Sequence, residues 1–312
     1  MCYDITESIK AIARLFADDC IIYKTITDQE DEVSFQQDLN NLVTWADTWG
    51  MKFNASKCNV MRISRRKNPG TTNYKMMGEK LQEVKEHQYL GVHIEDNLKW
   101  NKQAKFAAAK ATKVLNFIRR NFYNCSKGVK EKLYQTLVRP HLEYGSVTCN
   151  PITDKNNKLL EMVQRRAARF VLGDYGRYSS VLNWDTLELR REKQRLSTFH
   201  KIFQGTIGLD IDKYATKKFD RPRRTNDQQY NVKSNFISTT QFSESFFPLT
   251  ISAWNQLPQS IVNSPTTDDF KTAVDDMYTA RQQLNHSRQP CVTLPRGGLR
   301  GKLLQGTRYN KT

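Results

Sequence analysis

Residues 13–23 read Ala-Arg-Leu-Phe-Ala-Asp-Asp-Cys-Ile-Ile-Tyr, two short apolar runs with a pair of adjacent acids between them. Runs of β-forming residues on both sides of a two-residue break are typical of a tight β-hairpin. Such turns favour glycine because their central residues need positive φ, yet this stretch contains none. Two like charges at the tip of an apolar hairpin repel each other, and a bound cation would offset that repulsion. We therefore predict a hairpin with Asp18 and Asp19 at its turn.

The acid pair has two interpretations. Acids are common at turns, so Asp18 and Asp19 can form a turn that is merely exposed and solubilising. Carboxylates are also the ligands that Mg²⁺ prefers, and phosphoryl-transfer sites hold metal ions on such side chains. The second interpretation makes both residues candidate ligands of Mg²⁺ or Mn²⁺.

The charge of the chain indicates a polyanionic partner. The 312 residues include 49 Lys and Arg against 32 Asp and Glu, a formal net charge of +17. Nucleic acid is the first candidate for such a surplus, and an anionic membrane surface is the competitor. No apolar run approaches the roughly 20 residues of a membrane-spanning helix, and no signal-peptide pattern opens the chain, so we expect a soluble intracellular protein. The six cysteines are scattered, without the spacing of a zinc site or a disulfide framework.

The periodicity of apolar residues predicts both helices and strands along the chain. Residues 27–50 have capping-box spacing at Thr27 and Glu30 and an apolar stripe that ends at Gly50, which predicts an amphipathic helix. That stripe consists of Phe35, Leu39, Leu42, Ala46 and Trp49. Residues 51–63 return to a strand pattern around a turn, and residues 87–94 read as a strand bent at Gly91. Helical patterns follow from residue 99, one of them with the stripe Val129, Leu133 and Leu137 and an interruption at Pro140.

Basic residues line the polar faces of the predicted helices, and this has two interpretations. A charged helix face is usually only solvated, but cations beside a groove would bind backbone phosphates. The candidates for phosphate contact are Lys102, Lys105, Lys110, Lys113, Arg119, Arg120, Arg165, Arg166 and Arg169. A further helix, ending at Gly205, carries four cations that we also expect to meet phosphates: Arg190, Arg191, Lys193 and Arg195.

The sequence Phe16-Ala17-Asp18-Asp19 resembles the aromatic-x-Asp-Asp hairpin in the palm of reverse transcriptases. The stretches that follow resemble the non-LTR retrotransposon branch, in the manner of jockey-, CR1- and L2-like elements, and they occur in the family's order. These stretches are LNNLVTWADTWGMKFNASKCNVM (39–61), YLGVHI (89–94), LVRPHLEYG (137–145), VQRRAARF (163–170) and AWNQLP (253–258).

The resemblance implies an α+β fold. Residues 1–98 would form a partial palm, an antiparallel sheet plus a helix, with the catalytic hairpin and the primer grip. Residues 99–149 would form a helical thumb and residues 150–281 an α-rich C-terminal extension. We expect the remaining residues, 282–312, to be a disordered basic tail.

The resemblance also implies roles for individual residues. Asp18 and Asp19 would bind the catalytic metal, and Lys57 would protonate the pyrophosphate leaving group, although an ordinary surface lysine is the alternative. Tyr89, Leu90 and Gly91 would form the primer grip, with a structural bulge as the alternative for the glycine. The implied partners are an RNA template and an RNA–DNA or DNA primer duplex, and not a membrane.

The sequence departs from the family's pattern upstream of the hairpin. The family places its fingers and a third catalytic aspartate there, and residues 1–12 resemble neither. Two aspartates from one hairpin would hold Mg²⁺ only weakly, so we expect a truncated polymerase that does not polymerise alone, unless another chain supplies the missing half. The alternatives are a non-catalytic nucleic-acid-binding remnant and a decayed reading frame without a selected function.

Overall fold

The computed structural model describes residues 4–64, 66, 70, 73–173, 182, 184–217, 229–232 and 239–287. Within them, helices combine with small strand pairs that are mostly antiparallel, in agreement with the predicted α+β class. None of the described helices is both long enough and apolar enough to cross a membrane.

The N-terminal unit combines one long helix with short strands. Its elements are β1 (Ile12–Phe16), β2 (Asp19–Tyr23), α1 (Gln29–Thr48), a 3₁₀ turn (Ala55–Lys57), β3 (Asn59–Val60), β4 (Lys75–Met76), β5 (Glu79–Lys80), β6 (Gln82–Glu83), β7 (Glu86–Tyr89) and β8 (Val92–Glu95). The strands pair as β1–β2, β3–β6, β4–β5 and β7–β8, and β3–β6 is parallel. The described residues of this unit therefore contain separate two-stranded pairs instead of the single antiparallel sheet that we expected.

Helix α1 begins one residue later than its capping box predicted. Asp28 is the N-cap and accepts a hydrogen bond from the Asp31 backbone N–H at 2.9 Å. Asp31 in turn accepts from the backbone N–H of Thr27 at 2.9 Å. Leu39 and Leu42 of the predicted stripe pack into the core of this unit, called the first core, and Ala46 is also buried. Trp49 is 48% exposed because the chain has already turned towards Gly50.

The middle unit is a helix bundle built from α2 (Asn101–Asn121), α3 (Lys127–Leu133), a π turn (Tyr134–Val138), α4 (Arg139–Glu143) and α5 (Asp154–Leu172). The interruption predicted at Pro140 is wrong, since the helical path continues through the π turn into α4. In that wider turn the Arg139 backbone N–H bonds to the Tyr134 carbonyl, which accommodates a proline that has no N–H to donate.

The π turn also shifts which side chains enter the core of this bundle, called the second core. Tyr134, Val138 and Leu142 are buried, while Leu137 of the predicted stripe is 45% exposed. Val129, which precedes the π turn, is 46% exposed as well. A strict 3.6-residue period cannot anticipate this change, because the extra residue of the π turn rotates the helix face.

The C-terminal unit starts at α6 (Leu187–Phe203) and contains β9 (Ala215–Lys217), β10 (Tyr230–Val232), α7 (Thr240–Ser243), α8 (Phe246–Trp254), α9 (Gln259–Val262) and α10 (Thr267–Ser287). Helix α6 joins two cores, since Leu187 packs into the second core and Phe199 into a third, formed with Trp254 and Phe270. Helix α10 passes the predicted boundary at residue 282, so residues 282–287 are helical. The rest of the predicted tail lies outside the described residues.

Candidate active site and nucleic-acid interface

The hairpin of the predicted active site forms as expected, with one shift in its turn. The two residues that connect β1 to β2 are Ala17 and Asp18, and Asp19 is already in β2, opposite Phe16. Ala17 has a φ of +51°, a conformation that costs a non-glycine residue some strain. The acids therefore occupy the turn and the first strand position, instead of both lying at the turn.

Both carboxylates are exposed, and within the described part of the chain neither has an ion-pair or hydrogen-bond partner. Hard oxygen donors of this kind fit Mg²⁺ or Mn²⁺. The described residues contain no group of three or more His, Cys, Asp or Glu side chains that could hold a metal ion. Asp18 and Asp19 fit part of a divalent-metal coordination sphere, and the remaining positions need water or other ligands.

The charge of the acid pair reaches the β7–β8 hairpin at Tyr89. Partial burial, and then the Asp19 carboxylate, raises the pKa of Tyr89. The negative charge of Asp19 therefore acts on the phenol at the end of β7, although about seventy residues separate the two in sequence.

The predicted leaving-group lysine lies on the loop that follows α1. Lys57 is exposed and ends the 3₁₀ turn that Asn54 caps. Its neighbour Cys58 packs on the same core as Ile22 of β2, the strand that carries Asp19. The role of Lys57 stays a prediction.

Leu90 and Gly91 form a two-residue hairpin turn instead of a bulge or a bend within one strand. Their φ values are +47° and +77°, and positive φ at both central residues is the requirement of a type I′ turn. The Tyr144 hydroxyl donates a hydrogen bond to the Leu90 carbonyl at 2.7 Å. A Cβ atom at Gly91 would lie 3.2 Å from the Tyr144 ring, so glycine permits both the turn and this contact.

Tyr144 is a functional residue to which the sequence alone assigns no role. It follows α4 and reaches back across the chain to hold the tip of the β7–β8 hairpin. In the sequence, residues 137–145 around it contribute only to the resemblance. Pairing it with Leu90 requires the fold, because 54 residues separate the two.

The predicted basic face of α2 exists. Lys105, Lys110, Lys113, Arg119 and Arg120 are exposed on the side opposite the second core. Lys102 differs, because its ammonium forms an ion pair with Glu86 of β7. It therefore joins α2 to the β7–β8 hairpin in addition to carrying charge.

The three candidate arginines of α5 also differ in their exposure to solvent. Arg165 and Arg166 are exposed, whereas Arg169 is half-buried. The first two remain candidates for phosphate contact.

The expectation for the cations of α6 is wrong. Arg190 forms an ion pair with Glu143, and Lys193 lies between Asp185 and Asp275 at 2.7 and 2.8 Å. Two further cations are buried, Arg191 at 2% and Arg195 at 8% exposure. Because α6 packs between two cores, its polar side meets protein instead of solvent, and these cations hold the helical units together.

Comparison with protein families gives one finding. Residues 2–94 match the family model described as reverse transcriptase (RNA-dependent DNA polymerase). The matched segment includes the β1–β2 hairpin, the Lys57 loop and most of the β7–β8 hairpin. The match supports a reverse-transcriptase relationship for this segment and does not distinguish the non-LTR branch. Searches of curated proteins and of solved structures give no match.

Proposed function

We propose that the chain carries palm and thumb elements of an RNA-directed DNA polymerase of the non-LTR retrotransposon type. The observation that carries the proposal is the β1–β2 hairpin, which exposes Asp18 and Asp19 within the segment that matches the reverse transcriptase family. The β7–β8 hairpin, whose turn Tyr144 holds, lies largely in the same segment.

In this proposal, each hairpin has a separate task. Asp18 and Asp19 hold a divalent ion, which when bound stabilises charge on the attacking and leaving oxygens of phosphoryl transfer. The Leu90–Gly91 turn positions the end of the primer strand, and Lys57 donates a proton to the leaving pyrophosphate. The exposed cations of α2 and α5 bind the phosphates of the template and primer without reading their sequence.

Metal binding by the acid pair tests the first step without depending on catalysis. Mn²⁺ binding can be followed by the relaxation of water protons in the wild-type chain and in the Asp18→Ala, Asp19→Ala double variant. The matched control is the Asp47→Ala, Asp276→Ala variant, which removes two exposed acids elsewhere. We expect weak Mn²⁺ binding that only the Asp18→Ala, Asp19→Ala variant, called the hairpin variant, loses. Equal binding by all three proteins would contradict the assignment of the metal to Asp18 and Asp19.

Primer extension on an RNA template with Mg²⁺ or Mn²⁺ tests the chemistry. We expect at most weak extension by this chain alone, because two carboxylates leave most of the Mg²⁺ coordination to water. Extension that the hairpin variant loses and the control variant keeps would support polymerase chemistry at this site. Extension that survives the hairpin variant would refute the role of the acids.

A second candidate is nucleic-acid binding without catalysis, and one observation favours it. Helix α2 exposes five cations and contains no acidic residue over its 21 residues. Such a surface binds backbone phosphates with or without an active site. Salt-sensitive binding to an RNA–DNA hybrid, unchanged in the hairpin variant and accompanied by no extension, would favour this candidate.

A further inference from the structure

Helix α2 carries a stripe of aromatic and cationic side chains along its exposed side. The stripe consists of Phe106, Lys110, Lys113, Phe117 and Arg120, at steps of four, three, four and three residues. Residues at this spacing lie one above the other on a single face of a helix. At 1.5 Å per residue, the two rings are roughly 16 Å apart along the helix axis.

The two phenylalanines are exposed because the other side of the helix is already occupied. Phe117 is 54% exposed and Phe106 is 38% exposed. Ala111, Leu115 and Ile118 face the second core, with Leu115 and Ile118 each only 1% exposed. The rings cannot reach that core without turning the helix, so packing within the bundle does not explain them.

Positive charge surrounds the exposed rings. The helix contains no acidic residue, and Lys110, Lys113 and Arg120 separate or flank the two phenylalanines. The field extends to the neighbouring helix, where burial and then the Lys110 ammonium lower the pKa of His141. An occupant of this stripe must therefore offer both negative charge and flat apolar surface.

We propose that the stripe binds single-stranded nucleic acid, with an unpaired base stacked on Phe117 and the backbone phosphates on Lys110, Lys113 and Arg120. This inference rests on the proposed nucleic-acid function and specifies which form of nucleic acid this surface takes. Unpaired bases offer free faces to an aromatic ring, whereas the bases of a duplex already stack on one another. Phe106 leans edge-on against His93, with ring centroids 4.6 Å apart, and forms the end of the stripe nearest the β7–β8 hairpin.

A protein helix is a poorer occupant of the same face. Steps of three and four residues also mark the seam of a helix pair, but such a seam needs apolar side chains at most positions. Here three of the five positions are cations, and burying them against an apolar partner would desolvate their charges. The remaining rival is an acidic peptide, which the test includes.

The experiment measures the affinity of the chain for a fluorescein-labelled 20-nucleotide oligo-U and for a blunt 20-base-pair RNA–DNA duplex by fluorescence anisotropy. The variant Phe117→Ala removes the ring, and Phe117→Trp keeps an aromatic face. The control Val33→Ala truncates an apolar side chain that is 65% exposed on α1. Since Phe117 is exposed, the variants should fold normally, and circular dichroism checks this.

We expect Phe117→Ala to weaken oligo-U binding by at least about 5-fold, since stacking on one base is worth roughly 1–3 kcal/mol. Duplex binding should change by less than about 2-fold, because phosphate contacts dominate it. Phe117→Trp should restore the affinity, and Val33→Ala should change neither ligand's binding.

The cations are tested separately with the Lys110→Gln, Lys113→Gln double variant. We expect it to weaken the binding of both ligands and to reduce the slope of log affinity against log salt for oligo-U by about 1.4, which is 0.7 for each lost phosphate contact. The variant Lys80→Gln, at an exposed cation of β5, should leave that slope nearly unchanged.

Three results would overturn the inference. In the first, Phe117→Ala weakens the binding of both ligands equally or of neither, which would refute stacking while leaving nucleic-acid binding in place. Poly-glutamate could displace oligo-U at equal charge concentration, which would assign the stripe to acidic partners. A wild-type chain that binds neither ligand at low salt would refute the proposed function itself, and the stripe's role with it.

Discussion

Asp38 offers the sharpest test of how the fold positions the candidate active site. Its carboxylate, 2% exposed on α1, accepts hydrogen bonds from the backbone N–H groups of Lys10 and Ala11, both at 2.9 Å. These two residues lie immediately before β1, the first strand of the acid-bearing hairpin. The contact therefore attaches the start of that hairpin to α1.

Replacing Asp38 with alanine should destabilise the N-terminal unit. Hydrogen bonds to a charged acceptor contribute about 1.5–3 kcal/mol each, so two of them give about 3–6 kcal/mol. Lys10 is exposed and its N–H can turn to water, whereas Ala11 is 7% exposed and its N–H would remain unpaired. We therefore expect the Asp38→Ala variant to lose about 3 kcal/mol of its free energy of unfolding, which is the lower end of that range.

Urea denaturation followed by circular dichroism measures the loss, and hydrogen exchange of the peptide spanning residues 9–13 locates it. The exposed Asp47 on the same helix supplies the control Asp47→Ala, which should change neither quantity. A loss below about 1 kcal/mol with unchanged exchange at residues 9–13 would show that Asp38 does not hold the hairpin in place.

Two further predictions concern the helical units. A Cβ atom at Gly145, where φ is +67°, would lie 3.0 Å from Val92 Cγ2, whereas Gly173, with a φ of +71°, has open space around it. Left-handed strain alone should lower the free energy of unfolding of Gly173→Ala by roughly 1 kcal/mol. Gly145→Ala should lose clearly more, because its methyl group also crowds Val92. Equal midpoints in urea for the two variants would contradict this contact. His200 is fully buried beside the Ser264 carbonyl, and burial lowers its pKa from the ordinary value of 6.5. The unfolded chain then binds the proton more readily, so the free energy of unfolding should fall as the pH drops below about 6.5, and less steeply in His200→Gln, as urea titrations at a series of pH values would show.

Local features of the fold follow from the sequence because they depend on neighbouring residues. The two short apolar runs on either side of Asp18 and Asp19 predicted a hairpin, and the structure has one, shifted by a single residue at its turn. The stripe of α1 and the opposed faces of α2 also follow from periodicity, since a helix places residues three and four apart on one side. The errors at Pro140 and Leu137 arise from one π turn, which breaks that period.

The candidate site also combines features that depend on neighbouring residues with features that depend on distant ones. The sequence alone determined which residue types are available, an exposed acid pair beside β-forming runs and a surplus of cations on amphipathic helices. Only the tertiary structure decided which of them meet: the Tyr144 hydroxyl on the Leu90 carbonyl and the Lys102 ammonium on Glu86, while Arg191 is buried. The physical reason is that periodicity and turn chemistry act within a few residues, whereas burial and ion pairing depend on contacts between segments far apart in the chain.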